Sequence, residues 1–311
     1  MPLVTSSIVT MDQADSSTHQ RLQVYSEEVG EIIQLSETGS EPLSSVVIVA
    51  YRIDEDEFRG VLDQLKQQTT TDFETIIVDN GGQGDISHLL EEFQHTALYV
   101  KLAENYGVTL ARNLGATAAR GDLLLFIDDD SIPEKDFVEQ HVRAHRGNDI
   151  VAARGKVLTL TDNLYNRIQW WYDLGETAIP YFINTECNSS FEREVFLELS
   201  GFNEGPGGRA GHEGAELTYR MLQSGYDRDE IIYDPGPIVY HDNAENLLSY
   251  LRKQIRHRKE GRQLQRQYPE LSAFLQSYGK PDQAIDQMNT TDRIAARAIA
   301  SIVEVADRTL A

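Results

Sequence analysis

Two hydrophobic periods run through this chain. From Ser45, the run Ser-Val-Val-Ile-Val-Ala-Tyr is β-branched and does not alternate, which predicts a strand buried on both faces of a parallel sheet. Asp54 to Gln68 then spaces Phe58, Val61, Leu62 and Leu65 along one helix face. The next strand is Glu74-Thr-Ile-Ile-Val-Asp-Asn, ending on Asp79, with a helix over 86–95 and a third strand at Leu98-Tyr-Val-Lys-Leu. An Ala-rich helix over 108–120 stops at Gly121, and the apolar run 122–127 is a further strand. Strand and helix thus alternate four times, predicting a doubly wound α/β sheet with right-handed crossovers.

The pattern then loosens. A helix is expected over 137–146, a strand from Ile150 to Leu160, and an aromatic stretch at Tyr165, Trp170, Trp171 and Tyr172, readable as core or as an acceptor platform. Cys187-Asn-Ser-Ser-Phe leads into a short helix ending at Leu199, and the glycine-rich loop 201–211 has the mobility of a lid. A helix over 213–224 stops at Gly225, and a broken strand delivers His241 and Asp242 to a loop. The helix 245–268 carries Arg252, Lys253, Arg256, His257, Arg258, Lys259, Arg262 and Arg266, either a solvated face or an anion site. The helix 292–310 is expected to pack through Ile294, Ala298, Ile302, Val305 and Leu310. Before Ser45, polar composition predicts a loosely packed extension, with a short strand or helix at 28–34. Three regions follow: an extension 1–43, a main domain 44–243 and a helical region 244–311.

With 28 basic and 50 acidic residues and a net charge of −22, nucleic acid is excluded as a partner. Arginines outnumber lysines 21 to 7, and so acidic, lysine-poor a surface suits a cytosol of high salt, hence a halophilic source. The single cysteine, Cys187, rules out an intramolecular disulfide and a cysteine-rich zinc site. No apolar run is long enough to span a bilayer, so a cytoplasmic chain is expected, soluble or peripheral at the cytosolic face of the membrane.

The chemistry concentrates where strands end. Asp128, Asp129 and Asp130 follow directly on a buried strand, and adjacent carboxylates repel unless donors or a cation offset them, which points to a divalent metal. The competing reading is a polar strand end leading into a helix capped by Ser131 with Pro133 in its first turn. Asp79 occupies a second strand end, and in doubly wound sheets ligands bind at strand carboxyl ends near the switch in strand order.

These residues resemble the inverting glycosyltransferases of family two, with the GT-A nucleotide-sugar fold, over roughly 45–269. The resemblance rests on Ser-Val-Val-Ile-Val-Ala-Tyr, Val78-Asp79-Asn80, Asn105-Tyr-Gly, Ala111-Arg-Asn-Leu-Gly, Ala119-Arg-Gly and Phe126-Ile-Asp-Asp-Asp. It implies a mixed sheet flanked by helices with a helical C-terminal appendage. It also implies a nucleotide-diphospho-sugar donor contacted by Ala50, Tyr51, Arg52, Asp79, Arg112, Asn113, Asp128 and Asp129. Asp128-Asp129-Asp130 matches the Asp-X-Asp motif, implying Mn²⁺ or Mg²⁺ held by Asp130 and Asp128, with His241 completing the metal site or touching the diphosphate.

One segment departs from the pattern. Gly211-His-Glu-Gly-Ala-Glu-Leu resembles the family's Gly-Glu-Asp-X-Asp-Leu, whose Asp after Glu is the catalytic base, but Gly214 stands at that position. An inverting transfer needs a group to take the acceptor proton, and Glu213 is the first candidate, with Glu216 or His212 second. The expected activity is transfer of a sugar to a glycan or polyprenyl-linked acceptor. The alternative is a non-catalytic nucleotide-sugar-binding or assembly subunit. Nucleotidyl transfer is a third reading, opposed by the lack of any glycine between the first strand and Gly60.

Overall fold

The computed structural model describes residues 16–35, 41–82, 86–90, 93, 96–147, 149–205 and 212–310. In chain order the elements are α1 (Ser16–Leu22), β1 (Val29–Gln34), β2 (Ser44–Ala50), α2 (Glu55–Lys66), β3 (Phe73–Asp79), α3 (Ser87–Leu90), β4 (Thr96–Leu102), α4 (Val108–Ala118), β5 (Leu123–Asp128), β6 (Ile132–Pro133) and α5 (Phe137–His145). They continue with β7 (Ala152–Leu158), α6 (Leu164–Arg167), β8 (Ile179–Pro180), β9 (Ser189–Glu192), α7 (Arg193–Glu198), α8 (Glu213–Gln223), β10 (Ile231–Tyr240), α9 (Leu247–Gln267), α10 (Leu271–Tyr278) and α11 (Thr290–Leu310). Two compact units result, one drawn from residues 1–143 and 190–201, the other from 144–189 and 202–311.

In the first unit the strands lie in the order β1-β4-β3-β2-β5-β9. β2, β3, β4 and β5 are mutually parallel, and every residue of β2 and β3 is buried, as their unbroken apolar runs require. The order reverses beside β2, so the carboxyl ends of β2 and β5 form the switch point. α2 starts on Asp54, whose side chain accepts the Asp56 and Glu57 N–H groups, and buries Phe58, Val61, Leu62 and Leu65. At the opposite end of the sheet, buried Glu74 accepts from Ser45 Oγ (2.7 Å), the Arg120 backbone N–H (2.7 Å) and Arg120 Nε (2.8 Å).

Three local expectations change and one is met. The short strand or helix expected at 28–34 is a strand: β1 pairs antiparallel with β4 and buries Ile32 and Ile33, while residues 1–15 and 36–40 lie outside the described residues. Its hydrophobic pair needed the sheet edge, which local composition does not reveal. Ser131 and Pro133 do not open a helix; Ile132–Pro133 is a short strand and α5 begins at Phe137. α4 ends at Ala118, and Gly121 serves close approach instead of a left-handed cap, since a Cβ there would meet the Ser44 carbonyl carbon at 2.5 Å. α3 covers Ser87–Leu90, and residues 91, 92, 94 and 95 of the expected helix lie outside the described residues.

In the second unit β10 pairs parallel with β7 and antiparallel with β8, with a register break between Tyr233 and Ile238 where Asp-Pro-Gly-Pro interrupts the strand. Asn246 caps α9 through Ser249 N–H (3.0 Å). α11 packs through Ile299 and Val303 on Tyr250, Ile168 and Ala244. This corrects the expected face, because Ile294, Ile302 and Val305 remain 65%, 50% and 63% exposed. The rotation is set by Asp292, which is buried against Arg167 (Nε to Oδ2, 2.7 Å; Nη2 to Oδ1, 3.0 Å). Positions 292, 296, 299 and 303 then share the inward face, and the stripe containing Ile294 turns outward.

Candidate active site

Within the first unit the expected donor residues gather at the switch point. Register places Ala50 beside Asp79 and Val49 beside Asp128, so three strand ends finish level. Tyr51 N–H donates to Asp129 Oδ2 (2.9 Å) across the gap between β2 and β5. Arg52 adopts φ +57 and stacks its guanidinium over the Tyr51 ring at 5.2 Å. A left-handed arginine just beyond a strand is a backbone cost that the surrounding turn must hold.

Arg112 and Asn113 project from α4, and both are buried. Arg112 Nη2 binds Asp128 Oδ1 at 2.6 Å, so the guanidinium already lies against the first carboxylate of the cluster. Asp129 is pushed up to about 7, chiefly by burial, with the Asp130 and Asp128 charges adding to the shift and the Tyr51 N–H opposing it. Hard oxygen donors crowded to this degree fit a divalent cation. Among the described residues no three His, Cys, Asp or Glu side chains are grouped so as to hold a metal ion by themselves.

Asp79 has a fixed set of partners. Its Oδ1 accepts Gly82 N–H (2.7 Å) and its Oδ2 accepts the Tyr99 hydroxyl (2.9 Å), so it ties the loop after β3 to the sheet. Asn80 and Asn105 extend this lattice. Asn80 Oδ1 accepts Tyr106 N–H (3.0 Å) and Asn105 Oδ1 accepts Gly107 N–H (2.9 Å), positioning the entry to α4. Sequence reading placed Asn105 only in a motif. Its part in holding the loop emerges from pairing with a residue 25 positions earlier.

The second unit holds the acid-base candidates. Glu213 opens α8, is buried, and accepts the backbone N–H of His212 through Oε2 (2.8 Å). His212 donates from Nε2 to the His257 carbonyl (3.0 Å). Glu216 has no exposed surface and both its oxygens bind Arg220 at 2.7 Å, which holds it as a buried counter-ion instead of presenting it to an acceptor. Glu186, absent from the sequence candidates, accepts Gly214 N–H through Oε1 (2.8 Å). Its only sequence signal was a lone acid in an otherwise uncharged run. His241 follows β10, is buried, and has its ring 6.4 Å from that of Tyr172.

The aromatic stretch is anchored by Arg154, which has no exposed surface and donates to the carbonyls of Trp171 (2.7 Å) and Tyr172 (3.0 Å) and to Asn184 Oδ1 (2.7 Å). Burial draws Arg154 down to about 10, and the Tyr233 ring lies 5.0 Å from its guanidinium. Trp170 and Trp171 pack partly on Leu174, Tyr181 and Tyr233, so one side of each ring is core. The lid residues 206–211 lie outside the described residues.

Residues 45–198 match the family model described as glycosyl transferase family 2. Over this stretch the chain is similar to the glycosyl transferases of family 2. A glucosyl-dolichyl phosphate glucuronosyltransferase of Haloferax volcanii is 27% identical over 217 residues, covering 63% of this chain and 68% of that protein. The Bacillus subtilis glycosyltransferase YfnE is 33% identical over 114 residues, a match that takes in 36% of this chain and only 29% of that relative. Among solved structures, the mannosyltransferase PcManGT of Pyrobaculum calidifontis, in complex with GDP-Man and Mn²⁺, aligns over 94% of this chain and 86% of its own at a TM-score of 0.56 and 15% identity. The chain shares that structure's GT-A type of fold, a mostly parallel sheet flanked by helices with further helices at the C-terminal end.

Proposed function

We propose that the protein transfers a sugar from a nucleotide-diphosphate donor to a glycan or lipid-linked acceptor, with inversion, at the cytosolic face of a membrane. The observation that carries this reading is the meeting of Arg112, Asp128, Asp129 and the Tyr51 backbone at one sheet switch point. Asp130 and Asp128 would hold Mn²⁺ or Mg²⁺, with His241 a further ligand or diphosphate contact, and the bound ion would neutralise the leaving diphosphate. Arg112 orients Asp128, Asp79 and Asn80 hold the loops around the nucleotide, and Arg52 and Asn113 face the donor. The name of the Haloferax volcanii relative, which includes a dolichyl phosphate, favours a polyprenyl-linked acceptor. An acidic, lysine-poor composition favours a high-salt cytosol.

Glu213 takes the acceptor proton in this reading, since it stands at the opening of α8 beside Gly214. The absence of a side chain at 214 also supports a second reading, a nucleotide-sugar-binding subunit without turnover. Release of nucleoside diphosphate from a panel of nucleotide sugars with Mn²⁺ separates the two. Under the first, Glu213→Gln abolishes release while the donor still raises Tm; full turnover by that variant rejects Glu213 as the base.

A further inference from the structure

Seven of the chain's 28 basic residues and only one of its 50 acidic residues lie on α9, in a protein of net charge −22. The helix sorts them by face. Tyr250 and Leu264 are buried, and Leu251 and Ile255 turn toward α11. Leu248, Arg252, Arg256, Lys259 and Arg266 follow at steps of four, four, three and seven residues, which keeps them on one stripe. All five are exposed. The side chains of these four cations make no hydrogen bond or ion pair with a described residue. The stripe runs about 27 Å at the helical rise. Leu247 and Leu248 begin it, 41% and 56% exposed, on the first turn of the helix.

We propose that this stripe is a docking surface for an anionic lipid bilayer. A 27 Å row of separate cations, roughly measured from the helical rise, matches a plane of phosphate headgroups better than one compact diphosphate. The paired leucines at its start supply the apolar side chains that an interfacial helix immerses. α11, packed on α9 through its inner face, adds a second exposed apolar stripe in the same unit, Ile294, Ile302 and Val305. Charge complementarity selects the occupant. The rest of the chain is strongly acidic, so a cation row with no ion pair to a described residue is complementary to an outside anionic surface. The inference stands on the second unit's surface and does not depend on the transfer reaction.

Flotation of the full chain with phosphatidylcholine vesicles, and with vesicles that also contain phosphatidylglycerol, tests it. Binding is expected only to the second set. Arg252→Gln, Arg256→Gln and Lys259→Gln together should lower the partition coefficient about 100-fold, at roughly tenfold for every 1.4 kcal/mol and about 1 kcal/mol per cation. Leu247→Asp with Leu248→Asp should weaken binding while leaving its salt dependence in place. All five positions are exposed, so an unchanged melting curve shows that each variant is folded. Equal binding to both vesicle sets, no binding to the anionic set, or unchanged binding by the triple variant overturns the proposal. So does a triple variant that instead loses affinity for pyrophosphate, or that converts a dimer to a monomer in light scattering.

Discussion

The Glu186 carboxylate occupies the space into which a side chain at position 214 would grow. A Cβ on Gly214 would lie 2.7 Å from Glu186 Oε1 and 2.9 Å from the Ile183 carbonyl oxygen, while the Gly214 N–H donates to that same Oε1 at 2.8 Å. The position that lacks an acid in sequence therefore has one beside it in space, supplied from 28 residues earlier. Gly214→Asp should lower stability by about 1–3 kcal/mol, the usual cost of overpacking. Combining it with Glu186→Gly should recover part of that loss, because the carboxylate is gone while Ile183 Cγ2 and the Ile183 carbonyl oxygen still crowd the Cβ. Thermal melts of the two single variants and the double variant read the coupling. Additive losses would mean that the two positions do not share this space.

Glu216 and Arg220 form the second test of the α8 region. A carboxylate with no exposed surface whose oxygens both bind one guanidinium costs little only while the pair is intact. Glu216→Ala should destabilise by about 3 kcal/mol, since it removes the buried carboxylate that binds the partly buried Arg220 through both oxygens. Glu216→Ala with Arg220→Met should be less damaging than Glu216→Ala alone. Denaturant unfolding measures both. A Glu216 variant that unfolds at the wild-type midpoint would return this residue to the acid-base candidates.

How far the chain could be read before folding follows from which interactions are local. β2, β3 and β5 were legible because burial on both faces writes itself as an unbroken apolar run. Asp128 to Asp130 stood out because charge interrupts such a run. Glu186 carried no such mark; its partner is chosen by how two distant segments approach. α11 misled for a related reason. Its two apolar stripes are of similar strength, and the buried Asp292–Arg167 pair decides between them. A charged residue thus sets the rotation of a helix that hydrophobicity alone left undetermined.

Arg112 provides a test of the donor site. It is buried and pairs with the partly exposed Asp128 at 2.6 Å. Arg112→Ala should cost about 2 kcal/mol, below the range for a fully buried pair because water reaches Asp128. The same variant should lose the Tm increase that a nucleotide sugar produces in the wild type, since Asp128 is no longer oriented. Arg112→Lys should restore part of the stability and little of the donor response, a lysine being a point charge without the planar fork. Equal donor shifts in wild type and Arg112→Ala would remove Arg112 from the donor site.

Two histidines of the second unit predict the acid limb of the stability profile. Burial lowers His145 to about 4. Burial, with the charges of His212, Lys253 and Arg256, lowers His257 to about 3. Below about 6.5 the unfolded chain takes up a proton on each that the folded chain refuses, so stability is lost as pH falls from there toward those lower values. Between pH 7.5 and 5 each should contribute a loss of about 1–2 kcal/mol, at 1.36 kcal/mol per pKa unit and with allowance for partial exposure. His257→Asn should flatten the profile over that interval relative to wild type. Parallel profiles would show that His257 is protonated in the folded protein.

The carboxylate cluster can be tested without turnover. Asp129 is held near 7 by burial and by its two neighbours, so at pH 8 it carries a charge that burial and those neighbours oppose. Removing one charge relieves this: Asp129→Asn should raise the Tm of protein stripped with EDTA by a few degrees, equivalent to about 1 kcal/mol, and the Asn oxygen can still accept Tyr51 N–H. Adding Mn²⁺ should stabilise the wild type by mass action, reaching about 2.7 kcal/mol at a hundredfold excess over Kd. Asp130→Asn should lose that increment while melting no lower than wild type in EDTA, whereas Asp128→Asn should lose it and also melt lower, because it breaks the pair with buried Arg112. The two arms answer different questions. The EDTA arm reports whether the acids are crowded, and the Mn²⁺ arm reports whether a cation is what offsets the crowding. A cluster relieved by Asp129→Asn yet indifferent to Mn²⁺ or Mg²⁺ would assign the neutralising role to Arg112 alone, and with it a donor site that works without metal.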